Sequence, residues 1–180
     1  LRRLLEDATA GDYLVRHAPP EARRLVDVAF SGNGEPTSAA EFAEAVARLE
    51  CVLHDLSLRG ALKIRLITNG SLMHRESVCQ GVAHIGRLGG EVWFKVDRAT
   101  AAGVRSINGI GNFSSERVHS ALHRCARLAP TWIQTCWFAL DGEEAPEAEQ
   151  AAYLDFIGSV RQQIQGVLLY GLARPSLQPD

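Results

Sequence analysis

Long apolar runs and a strong excess of either charge are both absent from this 180-residue chain. No apolar stretch approaches the roughly 20 residues that cross a bilayer, so the sequence predicts no membrane span and a cytoplasmic location. The formal net charge of −2 disfavours a strongly basic nucleic-acid surface. Because 46% of the residues are hydrophobic, the chain can bury a core, and we expect one domain over residues 1–180, incomplete at its start.

Metal-binding motifs are scarce as well. The four cysteines include no CxxC pair, which argues against a zinc motif or a small disulfide framework, and we expect each of them to be a buried apolar residue: Cys51, Cys79, Cys125 and Cys136. Among six scattered histidines, only His119 and His123 have the i, i+4 spacing of metal ligands on a helix. No HExxH surrounds them, so we predict no metal site among these residues.

Short runs rich in branched and aromatic residues alternate with longer segments of helical periodicity. The short runs predict five strands, at 25–30, 63–68, 91–96, 132–138 and 167–172. The longer segments predict four helices. The first follows a capping box at Ser38 and Glu41, the second spans 74–88, the third begins after Ser114 or Ser115, and the fourth begins near Pro146. Strands that alternate with helical crossovers predict an α/β fold with a parallel sheet.

The first strand leads into a turn, AFSGNGEPT at residues 29–37. One interpretation is a tight connection that needs positive φ at Gly32 and Gly34. The other interpretation is a ligand-binding loop, because ligands of parallel sheets bind at the carboxyl ends of the strands. Polar residues also follow or end the other four strands, which favours a ligand site at that edge of the sheet.

Five segments in order, SGNGEPT, LITNGSL, EVWFKVD, IQTCWF and LLYGLARP, resemble the middle and late strands of radical S-adenosylmethionine (radical SAM) enzymes. The resemblance covers roughly residues 27–175. Within that superfamily it is strongest for the iron–sulfur oxidoreductases related to wyosine-type tRNA-modifying enzymes. It implies a partial TIM-type (β/α)6 barrel without its first strand and cluster loop. It also implies an enzyme that binds S-adenosylmethionine and, with a 4Fe–4S cluster, generates a 5′-deoxyadenosyl radical that abstracts hydrogen from an unknown substrate.

The resemblance assigns cofactor contacts to two groups of residues. The loop of Gly32, Asn33, Gly34, Glu35 and Pro36 stands where the family binds the amino group of the cofactor's methionine, and Glu35 would supply the negative charge. The second group comprises polar residues at the later strand ends, Thr68, Asn69, Lys95, Asp97, Gln134 and Arg174. The alternatives are an interior Lys95–Asp97 ion pair, a satisfied core amide at Gln134 and a surface role for Arg174. Catalytic residues are not assigned.

The family's CxxxCxxC cluster motif does not occur in this sequence. The segment from Leu1 to Asp7 has the pattern of a helix whose beginning is missing, so we expect the cluster ligands upstream of Leu1. The expected partners are a tRNA or small-molecule substrate and a reductant such as flavodoxin or ferredoxin. The alternative function is a non-catalytic or degenerate α/β module that binds a nucleotide-like ligand at the same strand ends.

Overall fold

A computed structural model describes residues 1–32 and 34–172 of the chain. The described helices are α1 Arg2–Ala10, α2 Tyr13–His17, α3 Phe42–Asp55, α4 Glu76–Arg87, α5 Ala101–Asn108, α6 Ser115–Leu128 and α7 Glu147–Val160. The strands are β1 Asp27–Phe30, β2 Lys63–Thr68, β3 Glu91–Lys95, β4 Thr131–Cys136 and β5 Val167–Tyr170. All four strand pairings are parallel, and the strands lie side by side in the order β1-β2-β3-β4-β5. The predicted α/β class with a parallel sheet and crossover helices is therefore confirmed.

Strand limits differ from the predicted ones by at most two residues, and β2 has the predicted limits. The largest differences are at the start of β1, which begins at Asp27, and at the ends of β4 and β5, which stop at Cys136 and Tyr170. Pairing continues one residue beyond β4, since the Trp137 N–H donates to the Tyr170 carbonyl at 2.8 Å. Apolar patterning therefore located the strands well, whereas their last residues depend on backbone pairing.

Helix starts follow the predicted signals in two cases and depart from them in one. Ser114 accepts a hydrogen bond from the Arg117 N–H at 3.3 Å and caps α6, and α7 begins directly after Pro146. The capping box predicted at Ser38 and Glu41 is wrong, because α3 begins at Phe42 without a side-chain cap. A 3-10 turn at Pro36–Ser38 takes its place.

One face of the sheet packs against helices. Alternate side chains of β2, β3 and β4 point toward α3, α4, α6 and α7, and they form one buried cluster with the apolar stripes of those helices. Each fully buried aliphatic side chain contributes roughly 1.5–3 kcal/mol to folding. The members that are at most 1% exposed are Val46, Leu66, Met73, Val82, Ile85, Val92, Phe94, Leu122, Cys125 and Ile133.

The opposite face, which we call the polar face, presents charged and aromatic side chains from alternate positions of the same strands. Arg65 of β2 donates to Glu91 of β3 at 2.8 Å, forms an ion pair with Asp27 of β1, and lies over the Trp93 ring at 4.7 Å. Burial raises the pKa of Glu91, but hydrogen bonds from Arg65 and Trp93 outweigh burial and hold the pKa below its ordinary value. Ion pairing thus replaces apolar packing on this face.

The cysteines do not behave uniformly. Cys125 is buried, and desolvation raises the pKa of its thiol to about 12. Cys51 is exposed on α3, and Cys79 and Cys136 are half-buried, so the expectation of four buried cysteines is wrong for three of them. Cys51 lies outside the stripe of Val46, Leu49 and Leu53 that packs on the sheet.

Within residues 1–32 and 34–172, no helix has the length and apolar character needed to cross a membrane.

Two glycines with nearly the same φ allow the cost of overpacking to be separated from the cost of backbone strain. Gly70 has φ +71° and Gly89 has φ +73°. An added methyl at Gly70 would overlap the Phe94 ring and come within 3.3 Å of Ala121, whereas one at Gly89 would meet nothing within 4 Å. We expect Gly89→Ala to cost about 1–2 kcal/mol of unfolding free energy from strain alone, and Gly70→Ala about 1–3 kcal/mol more from overpacking. Urea denaturation checks this difference, and equal losses would contradict it.

Candidate functional site

A cleft of about 660 Å³ opens at the carboxyl ends of the strands. It brings together seven of the eleven sequence-predicted residues, Gly32, Gly34, Glu35, Asn69, Lys95, Asp97 and Gln134. Pro36 and Thr68 lie next to the cleft without lining it. Asn33 and Arg174 lie outside the described residues. The edge of the sheet where a ligand was predicted is therefore concave and carries charged and amide groups.

The glycine loop after β1 has the backbone conformation expected of it. Gly32 and Gly34 have φ values of +145° and +117°, which side-chain-bearing residues rarely adopt. A methyl at either position would meet no described atom within 4 Å. Glycine is therefore required here by backbone conformation rather than by crowding within the chain, and both residues line the cleft.

Glu35 fastens this loop to the end of β2. Its Oε1 accepts from the Thr37 N–H at 3.2 Å, the Thr37 hydroxyl at 2.7 Å and the Thr68 hydroxyl at 2.6 Å. Its Oε2 accepts from the Asn69 N–H at 2.8 Å. The carboxylate is thus a structural acceptor for several donors, a role that sequence reasoning missed. Of the described donors, only the Asn69 N–H bonds Oε2, so a second lone pair of this oxygen can accept a donor from a ligand.

Thr68 and Asn69 support the wall behind this loop. Thr68 is 1% exposed, and its hydroxyl donates to Glu35 while accepting from the Gly70 N–H at 3.0 Å. The Asn69 side chain accepts from the Ser71 N–H at 2.9 Å, which closes the turn after β2. Thr68 therefore acts through Glu35 and the turn, whereas Asn69 lines the cleft itself.

Lys95 and Asp97 pair as predicted from their spacing on one strand face. The ammonium lies 3.3 Å from Asp97 Oδ2, and Asp97 Oδ1 accepts from the Cys136 N–H at 2.9 Å. Asn108 of α5 also donates to Asp97 Oδ2, at 3.4 Å. Burial lowers the pKa of Lys95, but the charge of Asp97 and the neighbouring Tyr170 outweigh burial and raise it. The pair therefore places a protonated ammonium and a hydrogen-bonded carboxylate in the cleft wall.

Arg98 is a cleft residue that sequence reasoning missed. It is only 5% exposed, and it donates to the carbonyls of Asp97 at 2.7 Å, Cys136 at 3.4 Å and Phe138 at 3.3 Å. Its guanidinium also stacks on the Trp137 ring at 4.6 Å. These contacts hold the end of β3 against the segment after β4. The only signal in the sequence was its position beside Asp97 at a strand end.

The outer wall of the cleft comes from α5 and the loop after it, which sequence reasoning also missed. Glu149 of α7 is buried, accepts from the Ala99 N–H at 2.5 Å, and bonds the amide and hydroxyl of Thr100, the cap of α5. This contact fixes α5 over the strand ends. Ile110 and Phe113 then supply apolar surface to the cleft. No motif in the sequence marks these residues as part of a site.

The histidines and cysteines are engaged or dispersed. His119 and His123 bond Ser159 and Gln163, each at 2.9 Å, and so connect α6 to the end of α7. Over the described ranges, no group of three histidine, cysteine or acidic side chains could hold a metal ion. The four cysteines lie on α3, α4, α6 and β4. They do not fit a 4Fe–4S cluster, whose thiolate ligands must converge.

No family model matches the chain, and no curated protein matches it either. The kind of ligand that suits the cleft is therefore inferred from the groups that line it. Acceptors are present at the Gly32–Glu35 end and at Asp97, and Lys95 and Arg98 supply positive charge. Such a site suits an elongated ligand that carries donors, an anionic group and an apolar part.

We expect Glu35→Gln to weaken the attachment of the glycine loop. An amide presents one acceptor and one donor, so its NH2 would face either the Asn69 N–H or the threonine hydroxyls. Unfolding free energy should fall by about 1–3 kcal/mol, the cost of leaving partly buried donors unpaired. The control is Glu44→Gln, which removes only an exposed pair with Arg48 and should cost about 0.5 kcal/mol or less. Chemical denaturation compares the two, and equal effects would contradict the anchoring role.

The distribution of cysteines gives a second expectation. After anaerobic treatment with iron and sulfide, the chain should not acquire the visible charge-transfer absorption of a 4Fe–4S cluster, since no three potential ligand side chains converge within the described residues. Ultraviolet–visible absorption and iron analysis provide the measurement. Absorption that appears and then disappears in Cys→Ala variants would show that the thiols converge after all.

Proposed function

We propose that this chain is the S-adenosylmethionine-binding part of a radical SAM enzyme. The observation that supports this most is that Gly32, Gly34 and Glu35 line the same cleft as the Lys95–Asp97 pair, at the carboxyl ends of parallel strands. A loop with positive-φ glycines exposes backbone carbonyls to a ligand ammonium. The ordered sequence resemblance and this convergence in space are both consistent with the same assignment.

S-Adenosylmethionine is chemically suited to the cleft. Its ammonium needs acceptors, which backbone carbonyls of the glycine loop and Glu35 Oε2 provide. Its carboxylate suits Lys95, and its ribose hydroxyls suit Asp97 as an acceptor. The volume of about 660 Å³ is within the range of small-molecule sites. When bound beside a reduced 4Fe–4S cluster, the cofactor supplies a 5′-deoxyadenosyl radical, and this chain's residues bind and orient it.

We further propose that the sheet is part of a (β/α)6 barrel. Sequential strand order places each crossover helix beside its own strands, as in barrels. Sheets of purely parallel strands are normally covered on both faces. Here the four long helices pack on one face, and the polar face carries the Asp27–Arg65–Glu91 ion pairs. Curling of the sheet would enclose that face as the barrel interior.

The cluster and the other partners are inferred from the sequence resemblance rather than from the residues of this cleft. The cysteines on α3, α4, α6 and β4 do not fit a cluster, so its ligands would have to come from a segment upstream of Leu1. The substrate, a tRNA or a small molecule, and a flavodoxin- or ferredoxin-type reductant are retained on the same basis. The dispersion of the cysteines favours one second candidate, a module that binds a nucleotide-like ligand without a cluster.

Calorimetric titration of the chain with S-adenosylmethionine, adenosine and methionine tests the proposal. We expect S-adenosylmethionine to bind more tightly than adenosine or methionine alone, because only the whole cofactor contacts both ends of the cleft. Glu35→Gln should weaken its binding by about 10- to 150-fold, as loss of a hydrogen bond to a charged group costs about 1.5–3 kcal/mol. Adenosine binding should be unchanged in this variant.

Thr37→Val is the matched control for this experiment. It removes a hydroxyl donor to Glu35 and keeps the carboxylate charge. A loss of affinity in Glu35→Gln that Thr37→Val does not reproduce assigns the effect to charge rather than to loop attachment. Equal binding of adenosine and S-adenosylmethionine would favour the nucleotide-binding module, and no binding of either ligand would overturn both candidates.

A further inference from the structure

Gln134 stands out among the polar groups of the cleft because its hydrogen bonding is incomplete. Its Oε1 is buried, and it is the one buried side-chain nitrogen or oxygen in the described ranges that has no hydrogen-bond partner. The residue lies on β4 and lines the cleft. Unpaired buried acceptors are uncommon in folded proteins, and each one calls for an explanation.

The neighbours of Gln134 explain why this acceptor is unpaired. In the sheet register, Gln134 lies between Lys95 of β3 and Leu168 of β5. Leu168 has no side-chain donor, and the Lys95 ammonium is directed to Asp97 instead. The adjacent side chains of the sheet therefore leave the carboxamide to be satisfied from the cleft.

The order of the strands shows which end of a ligand would reach Gln134. The glycine loop is fastened to the end of β2 through Glu35, the Lys95–Asp97 pair is on β3, and Gln134 is on β4. Adjacent strands are about 4.8 Å apart, so roughly 10 Å separates β2 from β4. A ligand that places its ammonium at the glycine loop and its ribose near Asp97 therefore extends its base toward β4.

We propose that the carboxamide of Gln134 recognises the 6-amino group of an adenine base in this cleft. The amino group is a donor, and it supplies the hydrogen bond that Oε1 lacks. A carboxamide also complements the adjacent donor and acceptor of an adenine edge in a bidentate pair. Ile110, Phe113 and Phe156 provide apolar surface in the same cleft for a planar ring. This inference rests on the proposed function and specifies the base-selecting residue within it.

Displacement of S-adenosylmethionine by two nucleosides provides the test. Adenosine and purine riboside differ only in the 6-amino group. We expect the wild-type chain to bind adenosine about tenfold more tightly than purine riboside, since one buried hydrogen bond depends on that group. Gln134→Met preserves the length of the side chain and removes both amide groups, so the preference should disappear while purine riboside binding changes little.

Gln162→Met serves as the control, because Gln162 is exposed just after α7 and lies outside the cleft. This variant should retain the wild-type preference. A Gln134→Met variant that still binds S-adenosylmethionine and still prefers adenosine would overturn the role of Gln134 and leave the proposed function intact. A wild-type chain that binds neither S-adenosylmethionine nor adenosine would overturn the proposed function and this inference together. Circular dichroism of each variant ensures that binding is compared between folded proteins.

Discussion

The attachment of the glycine loop to the second strand through Glu35 is the interaction on which the cleft depends. Loops with two positive-φ glycines lose much conformational entropy when ordered, so they need an external anchor to keep one shape. Two hydrogen bonds from Thr68 and Asn69 provide that anchor, and two more from Thr37 hold the carboxylate in place. Because the donors include the end of β2, loop position and sheet geometry are set together. The carboxylate can therefore both shape the wall of the cleft and contribute charge to it.

A second constraint comes from the unequal faces of the sheet. Apolar packing on the helix side fixes the strands, while the polar face requires every charge to find a partner, since an unpaired buried ion is costly. Arg65 meets this requirement with Glu91 and Asp27, and Lys95 meets it with Asp97. The Lys95–Asp97 pair itself lines the cleft, whereas Arg65, Glu91 and Asp27 are not among the lining residues. Ion pairing on the polar face therefore continues into the wall of the cleft.

Sequence patterns predicted the sheet well and the site in part, for different physical reasons. Strands appear as local apolar runs, and residues that end parallel strands must meet at one edge, so the cleft positions of Lys95, Asp97 and Gln134 followed from the fold. Capping geometry at α3 did not follow, because the Pro36–Ser38 turn formed where a capping box had been expected. Contacts over long sequence separations, such as Glu149 with Ala99, left no local pattern to detect. For the same reason, the structural role of Glu35 was not predicted, since Thr68 and Asn69 are more than 30 residues away in sequence, at the end of β2.

Arg98 shows how the cleft wall balances positive charge without a carboxylate. Its guanidinium lies among three backbone carbonyls at the ends of β3 and β4 and over an aromatic ring. Carbonyl dipoles and a π face can both stabilise a weakly hydrated guanidinium, which a lysine at this position would not replicate. One carbonyl belongs to Asp97, so the contact that buries Arg98 also fixes the backbone that directs Asp97 toward Lys95. The electrostatics of the cleft and the rigidity of its wall therefore arise from the same set of contacts.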